Sequence, residues 1–239
     1  MTWKQYIPNA ITSMNLLCGV LGVIAALEGR FEWAFYLMLA GAVCDFCDGL
    51  AARALKTTSP MGKELDSLSD VVTFGVLPSV MLYELMRVCT FSNSIWCYVP
   101  LLIAVFSALR LAKFNLDERQ HSSFLGLPTP ACAMICGSLC YFVAHDMQTF
   151  LATWSSGFVF IPLLAVVLCV LLVSEIPMFS MKFSRKDSPL LKRKRIIFAV
   201  NVLLVVAIVA SLRLNWSLAV LLGILVYVLM NLCFDLFRN

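Results

Sequence analysis

Charge is what this 239-residue sequence has least of: Lys, Arg, Asp and Glu make up 13%, against 61% hydrophobic residues and a mean hydropathy of +0.90. That scarcity excludes an ordinary soluble globular domain, in which about a quarter of residues are charged. No nucleic-acid partner is expected of it. Histidine is scarcer still, and His121 and His145 stand apart with no zinc-ligand spacing around either, so both are read as ordinary polar residues. The apolar runs lack period-2 alternation, which argues against a membrane barrel. No A-x-A-like site follows the first apolar run before the polar turn at Glu28 to Arg30, so the N-terminus is not read as a cleaved signal. Trp3 and Tyr6 are instead expected to anchor an interfacial segment, with Pro8 and Asn9 setting up the first span. There is no internal repeat and no low-complexity tract.

Long apolar runs are what remains. A membrane-spanning helix needs roughly 20 mainly apolar residues. Eight stretches approach this, near 13–28, 32–54, 67–86, 95–115, 128–147, 157–177, 196–212 and 216–235. The expected fold is all-α, a polytopic transmembrane bundle of about eight spans. With the N-terminus inside, every Lys and Arg except Arg30, Arg87 and Arg213 falls on the cytoplasmic side, so both termini are expected there. The run from Lys182 to Arg195 carries much of that bias and attracts anionic membrane lipid. The ten cysteines fall mostly within apolar runs and are read as small hydrophobes; Cys44 and Cys47, although spaced C-x-x-C, are not read as a redox pair.

Against this background four carboxylates around one loop require explanation, because acids within spans are costly and mark ion or substrate sites. Asp45 and Asp48 are three residues apart, Asp66 and Asp70 four apart, so each pair shares a helix face. A short polar turn containing Thr57, Thr58, Ser59 and Pro60 makes the two helices antiparallel and brings the pairs together. Four carboxylates converging at low dielectric repel. Two divalent cations, Mg²⁺ or Mn²⁺ with Ca²⁺ as an alternative, resolve the conflict and form a clamp for a diphosphate. The competing explanation is an interfacial salt-bridge network with Arg53, Lys56 and Lys63. Gly49, Ala52 and Gly62 let a flat polar ligand approach, or serve close helix packing. Arg53 can grip a phosphate through paired hydrogen bonds.

The string Asp45-x-x-Asp48-Gly49-x-x-Ala52-Arg53, eight residues, Gly62-x-x-x-Asp66-x-x-x-Asp70 resembles the signature of the CDP-alcohol phosphatidyltransferase family at every fixed position. The resemblance implies a six-helix core, two divalent ions held by Asp45, Asp48, Asp66 and Asp70, and Asp70 as the general base. It also implies a CDP-linked lipid held through Gly49, Ala52, Arg53 and Gly62. Three further segments look like the phosphatidylserine synthase branch: Ile7-Pro8-Asn9-x-Ile11-Thr12-x-x-Asn15-Leu16, Arg110-Leu111-Ala112-Lys113-Phe114-Asn115, and Phe124-x-Gly126-Leu127-Pro128-x-Pro130. Lys113 departs from the Arg expected in many relatives, keeping the charge and losing the planar fork.

The implied reaction is transfer of a phosphatidyl group from CDP-diacylglycerol to L-serine, releasing CMP. Arg110, Lys113 and Asn115 are the candidate serine site, with Arg110 as carboxylate anchor or merely as a helix-end anchor. Asn9 and Asn15 are candidates to line the nucleotide site, Asn9 alternatively as a helix cap. The expected organisation is a catalytic core over 1–178, then a basic cytoplasmic loop and two additional helices over 179–239. A homodimer is expected from the resemblance. Two alternatives stay open: another acceptor, such as glycerol 3-phosphate or an inositol phosphate with Arg119 or the Lys182–Arg195 loop binding its phosphate, and a divalent-cation transporter.

Overall fold

The computed structural model describes residues 3–57, 59–90, 94–116, 124–146, 150–155, 159–178 and 189–236. Thr58, Arg119, His121, Lys182, Arg185, Lys186 and Arg238 therefore lie outside the described residues. Ten helices follow in order among those described: α1 (Trp3–Leu27), α2 (Phe31–Ala54), α3 (Pro60–Asp70), α4 (Leu77–Thr90), α5 (Leu102–Leu116), α6 (Thr129–His145), α7 (Phe150–Ser155), α8 (Phe160–Val173), α9 (Pro189–Ser211) and α10 (Trp216–Leu236). A π-helical stretch, Val71–Val76, joins α3 to α4 without a break, and a 3₁₀ segment, Ile95–Leu101, leads into α5. Six of the resulting helical runs are long and apolar enough to cross a membrane, and Thr129–His145 and Phe160–Val173 are shorter apolar helices. The chain is an integral membrane protein built as an all-α bundle.

Three helices, α1, α3 and α9, begin earlier than hydropathy indicates, α9 at Pro189 and not near 196. Helix α1 starts at Trp3 and carries Pro8 inside it, so neither Pro8 nor Asn9 caps a helix; the capping alternative for Asn9 is corrected. Helix α3 starts at Pro60, because Ser59 in an extended conformation caps it: Gly62 N donates to Ser59 Oγ at 2.9 Å and Pro60 occupies the first turn. In each case hydropathy misses the start because the first turns carry polar residues, and hydropathy reports apolarity, not helix.

Hairpin α1/α2 is closed by a left-handed residue, Gly29 (φ 74), with Arg30 N reaching back to Ala25 O at 2.9 Å and Gly29 N to Ala26 O at 3.0 Å. The same arrangement ends α2 at Lys56 (φ 49), where Thr57 N donates to Ala52 O at 3.0 Å, and ends α9 at Arg213 (φ 53). The endings at Gly29 and Lys56 leave α1 packed against both α2 and α3.

The core centres on α6, which is buried from Ile135 to Val143 and packs against α2, α4 and α10. Its small residues, Ala133, Cys136, Gly137 and Ser138, permit that close approach; a Cβ on Gly137 would meet the Phe35 ring at 2.6 Å. All ten cysteines are free thiols, five of them buried. One small departure from pure helix is an antiparallel pair, β1 (Phe124–Leu125) with β2 (Pro177–Met178). Gly126 (φ 75) follows it directly, with the carbonyls of Leu172 and Ser174 only 2.7 Å from where its Cβ would be. The segment read as a branch motif thus pins the start of α6 onto the end of α8.

Candidate active site

The C-terminal part of α2 brings its acids to those of α3, as the spacing of the acids predicts. Carboxylate oxygens of Asp45, Asp48 and Asp66 all lie within 4.8 Å of one another. Asp70, one turn beyond Asp66, is not in that triple; it is half-buried and receives a hydrogen bond from Asn15 Nδ2 at 3.3 Å. The π-helical stretch begins immediately after it. There Thr73 Oγ1 donates to Asn15 O at 3.0 Å, and a Cβ on Gly19 or Gly41 would meet the Thr73 side chain at 2.5 or 2.6 Å. Glycines on α1 and α2 thereby allow the widened helix to approach and fix the direction of Asp70 and Asn15.

Asp48 is 6% exposed, and its Oδ2 lies 2.6 Å from the Thr12 hydroxyl, a short, charge-assisted hydrogen bond. Asn9, Thr12 and Asn15 recur every three residues along one face of α1 and meet the acidic helices. Thr12 is absent from the sequence-predicted site residues, although that spacing points to it. Ser69 is a second addition: its Oγ contacts Leu65 O at 2.8 Å and Thr12 O at 3.3 Å, tying α3 to α1.

Does this donor set fit divalent metal ions? The donors are carboxylate oxygens alone. Among the described residues no salt bridge joins Asp48, Asp66 or Asp70 to Arg53, Lys56 or Lys63, so the proposed salt-bridge network does not form for these three acids. Asp66 Oδ1 is buried without a hydrogen-bond partner. A buried, unsatisfied anionic oxygen beside two more carboxylates suits a hard cation.

A cavity of 220 Å³ opens beside the acids, lined by Asn9, Thr12, Gly49, Ala52, Ser59 and Gly62, with Asp48, Asp66 and Lys63 also at its wall. The two signature glycines differ in role. A Cβ on Gly49 would meet nothing nearer than Arg53 Nη2 at 3.9 Å, so this glycine leaves open space. On Gly62 it would lie 2.9 Å from both Asn9 Oδ1 and Ser59 Oγ, so this glycine serves packing of α1 on α3. Arg53 is exposed and folds back over the helix, its Nε donating to Gly49 O at 2.8 Å.

The candidate acceptor residues on α5 do not converge. Arg110 is only 7% exposed, with Nη1 donating to Thr129 Oγ1 at 3.4 Å and the guanidinium carbon 5.2 Å from the centre of the Phe114 ring. Asn115 Nδ2 donates to Ser67 Oγ at 2.8 Å, beside Asp66. Lys113 points elsewhere, into an exposed ion pair with Glu175 at 3.4 Å.

The sequence profile of the CDP-alcohol phosphatidyltransferases matches residues 5–161. The chain belongs to the CDP-alcohol phosphatidyltransferase family. The match runs from α1 into α8, so both acidic helices and α5 fall within the family's conserved region, whereas α9 and α10 lie beyond it. Relatives include the CDP-diacylglycerol–serine O-phosphatidyltransferase of Bacillus subtilis, 39% identical over 130 residues that make up 54% of this chain and 72% of that protein. The enzyme of the same name from Mycobacterium tuberculosis H37Rv is 38% identical over 187 residues, 74% of this chain and 62% of its own, less than two thirds of its length. That of Methanocaldococcus jannaschii is 29% identical over 170 residues, 71% of this chain and 72% of its own.

Proposed function

We propose that the chain transfers the phosphatidyl group of CDP-diacylglycerol to L-serine, giving phosphatidylserine and CMP. The observation that carries this reading is the acidic cluster beside the cavity: carboxylate oxygens of Asp45, Asp48 and Asp66 within 4.8 Å of one another, with Asp70 one turn on and bonded by Asn15. The names of the relatives support serine as acceptor.

Asp45, Asp48, Asp66 and Asp70 would hold two divalent ions, Mg²⁺ or Mn²⁺, which when bound neutralise charge on the diphosphate and on the departing CMP. Thr12, by donating to Asp48, fixes the direction of that carboxylate. Gly49 and Ala52 leave room for the nucleotide and diphosphate in the cavity, Gly62 lets α3 pack on α1 at its wall, and Asn9, Asn15 and Arg53 stand around the ligand. Asp70 accepts the serine hydroxyl proton as that oxygen bonds to the phosphorus carrying diacylglycerol. The bond from that phosphorus to the CMP oxygen breaks, and CMP leaves. Arg110 pairs with the serine carboxylate, and Asn115, held by Ser67 beside Asp66, completes the acceptor side, whereas Lys113, paired with Glu175, is left out of it.

The basic residues support a cytoplasmic site with both termini on the same side. Residues 1–178 are assigned as the catalytic core, 179–239 as its C-terminal addition, and the active form as a homodimer. Purified protein supplied with CDP-diacylglycerol and Mg²⁺ or Mn²⁺ should release CMP in response to L-serine, stop on chelation and recover when the ion is restored. Release with glycerol 3-phosphate or an inositol phosphate in place of serine would overturn the acceptor, and metal-independent release would overturn the role of the aspartates.

A further inference from the structure

We propose that Ser67 of α3 is a positioning residue that fixes the side-chain amide of Asn115, so that Asn115 Oδ1 receives the ammonium group of the acceptor serine. The proposal rests on the reading of Asp70 as proton acceptor and of Arg110 as partner of the serine carboxylate. Two contacts set how α5 lies against the helix that carries the acids. Asn115 Nδ2 donates to Ser67 Oγ at 2.8 Å, and a Cβ on Gly75 would stand 3.0 Å from that of Ser107. Ser67 precedes Gly75 whereas its partner Asn115 follows Ser107, so α5 runs antiparallel to α3 and the π-helical stretch. Asp70 and Arg110 both fall between the two contacts. Asp70 lies three residues beyond Ser67, about 4.5 Å along the axis, and Arg110 five residues before Asn115, about 7.5 Å. Arg110 and Asn115 therefore stand apart, one on either side of Asp70 in height.

Which atom Asn115 offers follows from the hydroxyl it meets. Ser67 has a single hydroxyl proton, donated to Lys63 O at 3.2 Å. Toward Asn115 the Ser67 oxygen therefore only accepts; it takes an amide hydrogen and turns Oδ1 away from itself. A carbonyl oxygen attracts a donor and repels a carboxylate. On the α-carbon of serine the ammonium is the group with N–H donors and no acceptor. With the serine hydroxyl at Asp70, the carboxylate goes to Arg110 on one side and the ammonium to Asn115 on the other. An acceptor that lacks either group loses one of the two holds.

The test compares L-serine with 3-hydroxypropanoate, which lacks the ammonium, and with ethanolamine, which lacks the carboxylate, in CMP-release assays on the full chain. An analogue that turns over too slowly is measured as a competitive inhibitor of serine. In Asn115→Leu, kcat/KM for serine should fall about ten- to hundredfold, the scale of a hydrogen bond to a charged group. The value for 3-hydroxypropanoate should stay within about threefold. Ser67→Ala should weaken serine about fivefold, mainly in KM, spare 3-hydroxypropanoate, and add nothing in the double variant with Asn115→Leu. Equal losses with serine and 3-hydroxypropanoate would leave both residues a structural role and overturn the proposal, as would an unchanged serine KM in either variant. Arg110→Lys separates the underlying reading: it should weaken serine and 3-hydroxypropanoate and spare ethanolamine. If it does not, the carboxylate reading falls and this proposal with it; if it does, and Asn115→Leu fails to discriminate, the proposal alone falls.

Discussion

At the scale of single residues, the site separates side chains that do chemistry from those that aim them. Asp70→Asn removes the proton acceptor while keeping size and the contact to Asn15, so CMP release should fall by about 10²–10⁴. Binding of CDP-diacylglycerol, measured by equilibrium dialysis, should persist. Thr12→Val removes the donor to Asp48 at nearly constant volume. Supporting partners of metal ligands typically contribute 10–100-fold in affinity, so the divalent-ion concentration for half-maximal CMP release should rise about tenfold. The two glycines of the signature make a paired test. Gly62→Ala must displace Asn9 or Ser59 and should lower the melting temperature, whereas Gly49→Ala, meeting nothing within 3.4 Å, should leave melting unchanged and raise KM for CDP-diacylglycerol.

At the scale of helices and turns, the site depends on how α2 ends and α3 begins. Ser59→Ala deletes the cap on α3 and should cost about 1 kcal/mol, seen as a lower melting temperature in detergent. Gly126→Ala should cost more: left-handed backbone alone costs about 1–2 kcal/mol for an L side chain, and two carbonyls occupy the space its Cβ needs. The acidic pairs were legible because the spacings of three and four residues report a helix face directly. Of the three left-handed helix endings, only Gly29 has a sequence signal, since nothing marks Lys56 or Arg213 as left-handed. The early starts of α1 and α3 escaped hydropathy because their first turns are polar, with Lys4 and Gln5 in one and Lys63 and Glu64 in the other, and hydropathy reports apolarity, not helix. The π-helical stretch after Asp70 has no local sequence mark either. Gly19 and Gly41 let its Thr73 approach α1 and α2, and its own Gly75 lets α5 approach at Ser107, contacts that exist only in the folded bundle.

At the scale of the whole molecule, the relation of α9 and α10 to the rest decides whether residues 1–178 can stand alone. The ring of Trp216 stacks on Phe35 and Tyr36 at 5.7 and 6.4 Å and meets Tyr141, whose hydroxyl is 2.8 Å from that of Tyr36. Further along the same helix, Tyr227, Val228 and Asn231 are buried. α10 therefore covers a face of α6 that includes Tyr141. Sequence reasoning could count these two helices but could not place them, since neither hydropathy nor the signature reports which helix lies against which. Trp216→Ala should loosen this contact by about 1–3 kcal/mol, less than a fully buried aromatic because the indole is 43% exposed. A chain ending at residue 178 should lose far more, melting well below the full protein and releasing little CMP even at high serine. If the shortened chain instead keeps full turnover, the core is self-sufficient and α9 and α10 are dispensable for the reaction.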